Sequence, residues 1–91
     1  MFVFIQSMET ITVKVLKVLA QYGPLDISSI RRILGIKHTR TVSTAVKRLQ
    51  RHGFVNCEWL CKLTEKGKTA LQYIDECIDV SCLSAKVNGY L

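Results

Sequence analysis

The chain has 91 residues, a length that allows one hydrophobic core and excludes a second domain, so we expect a single domain over residues 1–91. Hydrophobic residues make up 48% and charged residues 22% of it, which excludes an intrinsically disordered chain. The formal net charge of +6 lies in one stretch, because the segment from Ile27 to Cys57 contains seven basic residues and no Asp or Glu.

Outside that stretch the charge is nearly balanced, because the other six basic residues face all seven acidic ones and leave a charge of −1. A solvated charged surface normally mixes both signs. A segment with basic residues alone is typical of a surface that meets phosphates, where binding releases condensed counterions. The charge distribution therefore favours a nucleic-acid partner.

The first five residues, Met1–Ile5, are apolar, but a membrane span needs about 20 such residues and a secretory signal begins with basic ones. We therefore expect a cytoplasmic protein without a membrane partner. Residues 1–8 are interpreted as an N-terminal arm that packs on the core or on a partner. A start of translation at Met8 is the alternative.

The first helix is predicted over 10–22, because apolar residues recur at helical spacing from Ile11 to Leu19 and the segment stops at Gly23-Pro24. Val13 and Val18 lie off the main apolar stripe. The helix is therefore apolar on more than one side, and we expect Val13 and Val18 to face a second subunit.

Two further helices are predicted over 26–34 and 39–52, with a turn at Gly35-Ile36 between them. Asp26 and Thr39 are expected as their N-caps, since short polar side chains accept hydrogen bonds from the first free N–H groups of a helix. Leu25, just before Asp26, is expected in an extended position.

Residues 54–63 predict a hairpin of two short strands around Glu58-Trp59. Pairing Val55 with Leu63 places Cys57 opposite Cys61, because opposed residues in an antiparallel pair keep a constant index sum. A Cys57–Cys61 disulfide is expected in an oxidising or hyperthermophilic setting, and two small buried thiols otherwise. We expect Trp59 to pack against the body of the protein or a partner.

A last helix is predicted over 64–83, with Leu71, Ile74 and Ile78 on one face. That stripe is expected to form the interface of a homodimer together with Val13 and Val18. The alternative is that it covers the first helix of its own subunit. Three acidic residues of this segment should remain solvated and away from the basic stretch; they are Asp75, Glu76 and Asp79.

The sequence gives only weak indications of metal binding or catalysis by its cysteines and histidines. A four-thiolate zinc site is disfavoured, because Cys77 and Cys82 would diverge by roughly 140° on a helix. A bridge between subunits through these two cysteines is the less favoured alternative to free thiols. His38 and His52 flank the third helix without catalytic partners, and no phosphate loop or carboxylate pair is present. We expect no enzymatic activity, no metal and no cofactor.

The stretch from Asp26 to Val55, followed by Leu63-Thr64-Glu65-Lys66-Gly67, resembles the winged helix-turn-helix superfamily, particularly small archaeal and bacterial regulators of the multiple-antibiotic-resistance type. The resemblance implies an α+β, mainly helical fold with a short two-stranded wing. It also implies sequence-specific binding of double-stranded DNA by a homodimeric transcriptional regulator. A winged-helix module for protein contacts and a sequence-blind architectural DNA-binding protein are the alternatives.

In that superfamily the second helix of the unit lies in the major groove, which shows a distinct pattern for each base pair. The residues that match its base-reading positions are Arg40, Thr41, Ser43, Thr44 and Lys47. Phosphate contacts are expected from Arg31, Arg32, Lys37, Thr39, Arg48 and Arg51. The acidic tip Glu58-Trp59 departs from the basic wings of the family, so we expect no minor-groove contact from it.

Overall fold

The computed structural model describes residues 9–89 and is mainly helical, with one small antiparallel sheet. In chain order its elements are α1 (Ile11–Tyr22), α2 (Ile27–Leu34), α3 (Thr39–Arg51), β1 (Val55–Cys57), β2 (Cys61–Leu63), α4 (Glu65–Ala70), a 3₁₀ helix (Leu71–Glu76) and α5 (Val80–Val87). This agrees with the predicted α+β class. The predicted N-terminal arm, residues 1–8, lies outside the described residues.

Helix α1 lies at the centre of the domain, where α2, α3, β2 and the 3₁₀ helix all pack against it. Val13 is completely buried and Val18 is 6% exposed, although both were expected to face a second subunit. The expectation is wrong for these two residues because neighbouring elements of the same chain cover both sides of α1. An apolar surplus on one helix indicates burial and leaves open which chain covers it.

The turn between α2 and α3 is a left-handed C-cap. Gly35 has a φ of 69°, a conformation that disfavours a side chain, and Ile36 donates its N–H to the Arg31 carbonyl at 3.0 Å. Asp26 precedes α2 as predicted, but its carboxylate accepts from the Ser29 hydroxyl, which lowers the pKa of that carboxyl. Helix α3 begins at Thr39, as predicted, but His38 and not Thr39 occupies the N-cap position.

The hairpin has the predicted register, with Val55 opposite Leu63 and Cys57 opposite Cys61. The last pair is joined by a disulfide across a Cα separation of 4.0 Å, as expected. Leu25 adds an isolated bridge to the other edge of β2, exchanging backbone hydrogen bonds of 3.1 and 2.7 Å with Cys61. The extended position predicted for Leu25 is therefore confirmed, and the hairpin is attached to the body through it.

The single helix predicted over 64–83 is wrong, because the chain breaks after the 3₁₀ helix. Cys77 is extended, with φ −130° and ψ 141°, and Asp79 caps a separate helix, α5. The Ile78 carbonyl accepts from the Thr10 N–H at 2.9 Å, and Cys77 forms a disulfide with Cys82. These contacts stabilise the break in place of the lost helical hydrogen bonds. Because Cys77 and Cys82 pair within one chain, they do not form the bridge between subunits that was considered for them.

The predicted apolar stripe of that segment is divided by the break. Leu71 and Ile74 are half-buried against the core of their own chain, whereas Ile78 is 55% exposed. Within residues 9–89 no helix is long and apolar enough to cross a membrane.

Candidate functional site

Helix α3 has one buried side and one polar side. Its core contacts come from four residues, Val42, Ala45, Val46 and Leu49, of which none is more than 6% exposed. Opposite them, residues at spacings of four, three and four form one exposed stripe along the helix, since 3.6 residues make a turn. We call this stripe the α3 outer face; it consists of Arg40, Thr44, Lys47 and Arg51.

The two remaining candidates for base contact lie on the flanks of this face. Thr41 is exposed on one side, and Ser43 is half-buried on the other. Lys37, His38 and Thr39 are exposed at the start of α3, so the basic surface continues around its N-terminus. The structure therefore brings the predicted base-contact residues together on one helix.

Arg31 has a structural contact that spacing alone did not indicate. It is half-buried, and its Nη1 donates to the Ile36 carbonyl at 3.1 Å. This hydrogen bond crosses the turn between α2 and α3 and helps to hold the two helices in their relative orientation. Arg32, its neighbour, is exposed.

Arg48 lies beside the α3 outer face but points toward the C-terminal region. Its Nη2 is 3.3 Å from Asp79 Oδ2 and 3.3 Å from the Ser81 hydroxyl. Asp79 was expected to remain solvated and away from the basic stretch, which is wrong, because the break at Cys77 directs it back toward α3. Arg48 is thus already paired with a carboxylate.

Asp79 joins three elements of the domain. Besides Arg48, it accepts hydrogen bonds from the Thr10 hydroxyl at 3.2 Å and the Thr12 hydroxyl at 3.4 Å. Partial burial opposes its ionisation, but the Val80 backbone N–H and the Arg48 guanidinium hold the pKa of Asp79 below its usual value. The ionised carboxylate therefore links the start of α1 to α3 and α5.

The other basic residues of this surface are unpaired. Four ion pairs occur among residues 9–89, joining Lys17 to Glu9, Arg48 to Asp79, Lys68 to Glu65 and Lys86 to Glu76. None of these pairs includes the exposed cations of α2, the turn or α3, which are Arg32, Lys37, Arg40, Lys47 and Arg51. None of these five cations therefore forms a direct ion pair with the part of the chain that the structure describes, although Asp26 is near enough to Arg32 to interact with it electrostatically.

The hairpin tip differs from expectation. Trp59 is 93% exposed, so packing against the body of its own chain is excluded, and Leu60 is 49% exposed beside it. Whether a tryptophan in a tight turn is buried depends on contacts with distant segments, which the local sequence does not specify. Packing against a partner is the part of the prediction that stays open.

In the described residues the cysteines are oxidised, and no cluster of metal ligands is formed. All four cysteines are in the two disulfides, so the disfavoured four-thiolate site is not formed. Residues 9–89 contain no cluster of three or more His, Cys, Asp or Glu side chains suited to a metal ion. His52 stacks on Phe54 with ring centroids 6.0 Å apart.

Comparison with protein-family models finds no match, and comparisons with curated proteins and with solved structures find none either. The features that define this chain are those of a small, mainly helical α+β domain with a basic, exposed helix face.

Proposed function

We propose that this protein is a winged helix-turn-helix protein that binds double-stranded DNA sequence-specifically, as a homodimer, and regulates transcription. The observation that carries the proposal is the α3 outer face, which combines three unpaired cations and a threonine on one exposed stripe backed by the core. An α-helix fits the major groove of B-DNA, and a rigid helix presents its side chains to base edges in a fixed order.

Each residue of this face has a chemically defined role. Arg40 and Lys47 donate to guanine O6 and N7, and the Thr44 methyl group contacts a thymine methyl. Thr41 and Ser43 contribute from the flanks. Arg32, Lys37, Thr39 and Arg51 contact phosphates, which orient the helix without distinguishing sequences.

Arg31 and Arg48 take a different part in this proposal from the one their sequence positions suggest. Arg31 supports the turn, and the charge of Arg48 is already paired with that of Asp79. The phosphate-binding set is therefore smaller than the sequence predicts, and it lies mainly at the two ends of α3.

Alanine substitutions on the α3 outer face are expected to separate base contact from phosphate contact. Arg40→Ala and Lys47→Ala should each change the preference at one base pair by about 1–3 kcal/mol. Arg51→Ala should weaken all duplexes by a similar factor. Competition gel shifts with single-base-pair variants of a selected site measure both effects, since all three residues are exposed and their loss spares the core.

Gln50→Ala is the matched control, because Gln50 is exposed on α3 but neutral and off the stripe. It should leave affinity and ranking unchanged. If the Arg40→Ala and Lys47→Ala proteins rank all duplexes as the wild type does, these side chains do not contact bases and the assignment of α3 is wrong.

A further inference from the structure

An open apolar groove lies on the domain between the end of α1, β2 and the start of the 3₁₀ helix. Its volume is about 390 Å³, and its apolar lining includes Ala20, Pro24, Leu63 and Leu71. Two exposed lysines also line it: Lys62, which has no ion pair among residues 9–89, and Lys68, whose exposed contact with Glu65 is a long one of 3.6 Å. The groove therefore suits an apolar side chain that is accompanied by a negative charge.

The hairpin tip has that composition. Glu58, Trp59 and Leu60 are consecutive and all exposed, and the Cys57–Cys61 disulfide closes the loop that carries them. Because the loop is short and closed, Trp59 is held away from its own domain, as its 93% exposure shows. An exposed tryptophan fixed on a rigid loop loses little conformational freedom when it is buried by a partner.

The tip and the groove are neighbours on one face of the molecule. A smaller cleft beside Trp59 is lined by Pro24 and Lys62, and both residues also line the apolar groove. Because the tip and the groove are adjacent, a two-fold axis that places the tip of one protomer in the groove of a second protomer also places the second protomer's tip in the groove of the first. A second copy of the chain can therefore supply both halves of the contact.

We infer that the hairpin tip of one protomer inserts Trp59 into the apolar groove of a second protomer, with Glu58 facing Lys68, and that the reciprocal contact forms the homodimer. This inference rests on the homodimer of the proposed function and not on its DNA binding. Two aromatic residues bury roughly 150–250 Å² each, and opposite charges at the rim fix the register. Leu71, predicted for the dimer interface, lines this groove.

Tryptophan fluorescence tests the inference directly, because Trp59 is the only tryptophan of the chain. Across a dilution series of the full-length protein, dimer formation by sedimentation should coincide with a blue shift of the emission and protection from acrylamide quenching. An emission that stays at the exposed wavelength while the protein dimerises would place the interface elsewhere. A protein that stays monomeric with exposed Trp59 would assign the groove to a different chain, and this too overturns the inference.

Charge exchange tests the register. Glu58→Lys and Lys68→Glu should each weaken dimerisation by tenfold or more, and the protein with both substitutions should return to within about threefold of the wild type. Ala20→Arg should block the groove, whereas Gln21→Arg, on the same helix but outside the groove lining, should not. Additive losses in the double variant, or equal effects of the two arginine variants, would contradict the proposed contact.

The failures of the two proposals are distinguishable. A wild type that dimerises through Trp59 but shifts no duplex in a gel would overturn DNA binding and leave the interface in place. A Glu58→Lys protein that dimerises and binds duplex as the wild type does would overturn the interface alone.

Discussion

Raising the salt concentration from 50 to 200 mM is expected to weaken duplex binding by about a thousandfold. The reason is counterion release, in which each neutralised phosphate contributes about −0.9 to the slope of log K against log salt. Three unpaired cations per protomer are assigned to phosphates, namely Arg32, Lys37 and Arg51. A dimer therefore makes about six such contacts, and the expected slope is about −5.

Fluorescence anisotropy with a labelled duplex at several salt concentrations measures this slope. Arg32→Ala removes two contacts from the dimer and should reduce the magnitude of the slope by about 2. Gln50→Ala should leave it unchanged. An affinity that is independent of salt would show that the unpaired cations do not meet phosphates, and a protein partner would then be the better assignment for this surface.

Replacing Gly67 by alanine is expected to destabilise the domain by about 3 kcal/mol, at the upper end of the usual cost of overpacking. Alanine normally stabilises a helix relative to glycine, by about 1 kcal/mol. Here Gly67 is buried in α4, and a methyl group on it would overlap the backbone carbonyl of Phe54. That carbonyl cannot retreat without cost, because it accepts the Thr64 N–H at 3.0 Å.

Denaturant unfolding of the oxidised protein measures the change. The midpoint should fall while the dependence on denaturant stays constant, since the surface exposed on unfolding is nearly the same. Thr69→Ala, at an exposed position of the same helix and outside the groove lining, is the control and should change stability by no more than about 0.5 kcal/mol. A Gly67→Ala protein as stable as the wild type would mean that α4 does not approach Phe54 as closely as the structure shows.

Local patterns predicted those parts of the fold that depend on near neighbours. Apolar residues at spacings of three and four identified α3, because a helix with one apolar stripe packs that stripe against the core. The register of the hairpin followed from pairing Val55 with Leu63. The prediction of a single helix over 64–83 failed because apolar residues at spacings of three and four fit a 3₁₀ helix followed by a turn as well as they fit one long helix. The contact of Asp79 with Thr10 and Arg48, which decides between them, joins residues far apart in the chain.

The sequence predicted which residues share the exposed face of the candidate site, but not all of their contacts. That Arg40, Thr44 and Lys47 share one exposed face follows from helical spacing. The involvement of Arg31 with the turn and of Arg48 with Asp79 does not, because both depend on where carbonyl and carboxylate groups arrive from other segments. The exposure of Trp59 was missed for the same reason, since an isolated tryptophan at a tight turn indicates a contact without naming the chain that provides it.

Selection from a random duplex library tests the central claim, sequence-specific recognition by a dimer, most directly. The wild-type protein should enrich two related half-sites whose centres lie about one helical turn, or 10–10.5 base pairs, apart. Enrichment should be strongest at guanines that Arg40 and Lys47 can contact. Retention of duplex without any enriched sequence would identify an architectural DNA-binding protein, and failure to retain duplex at low salt would identify a protein-interaction module; either result would contradict the proposed function.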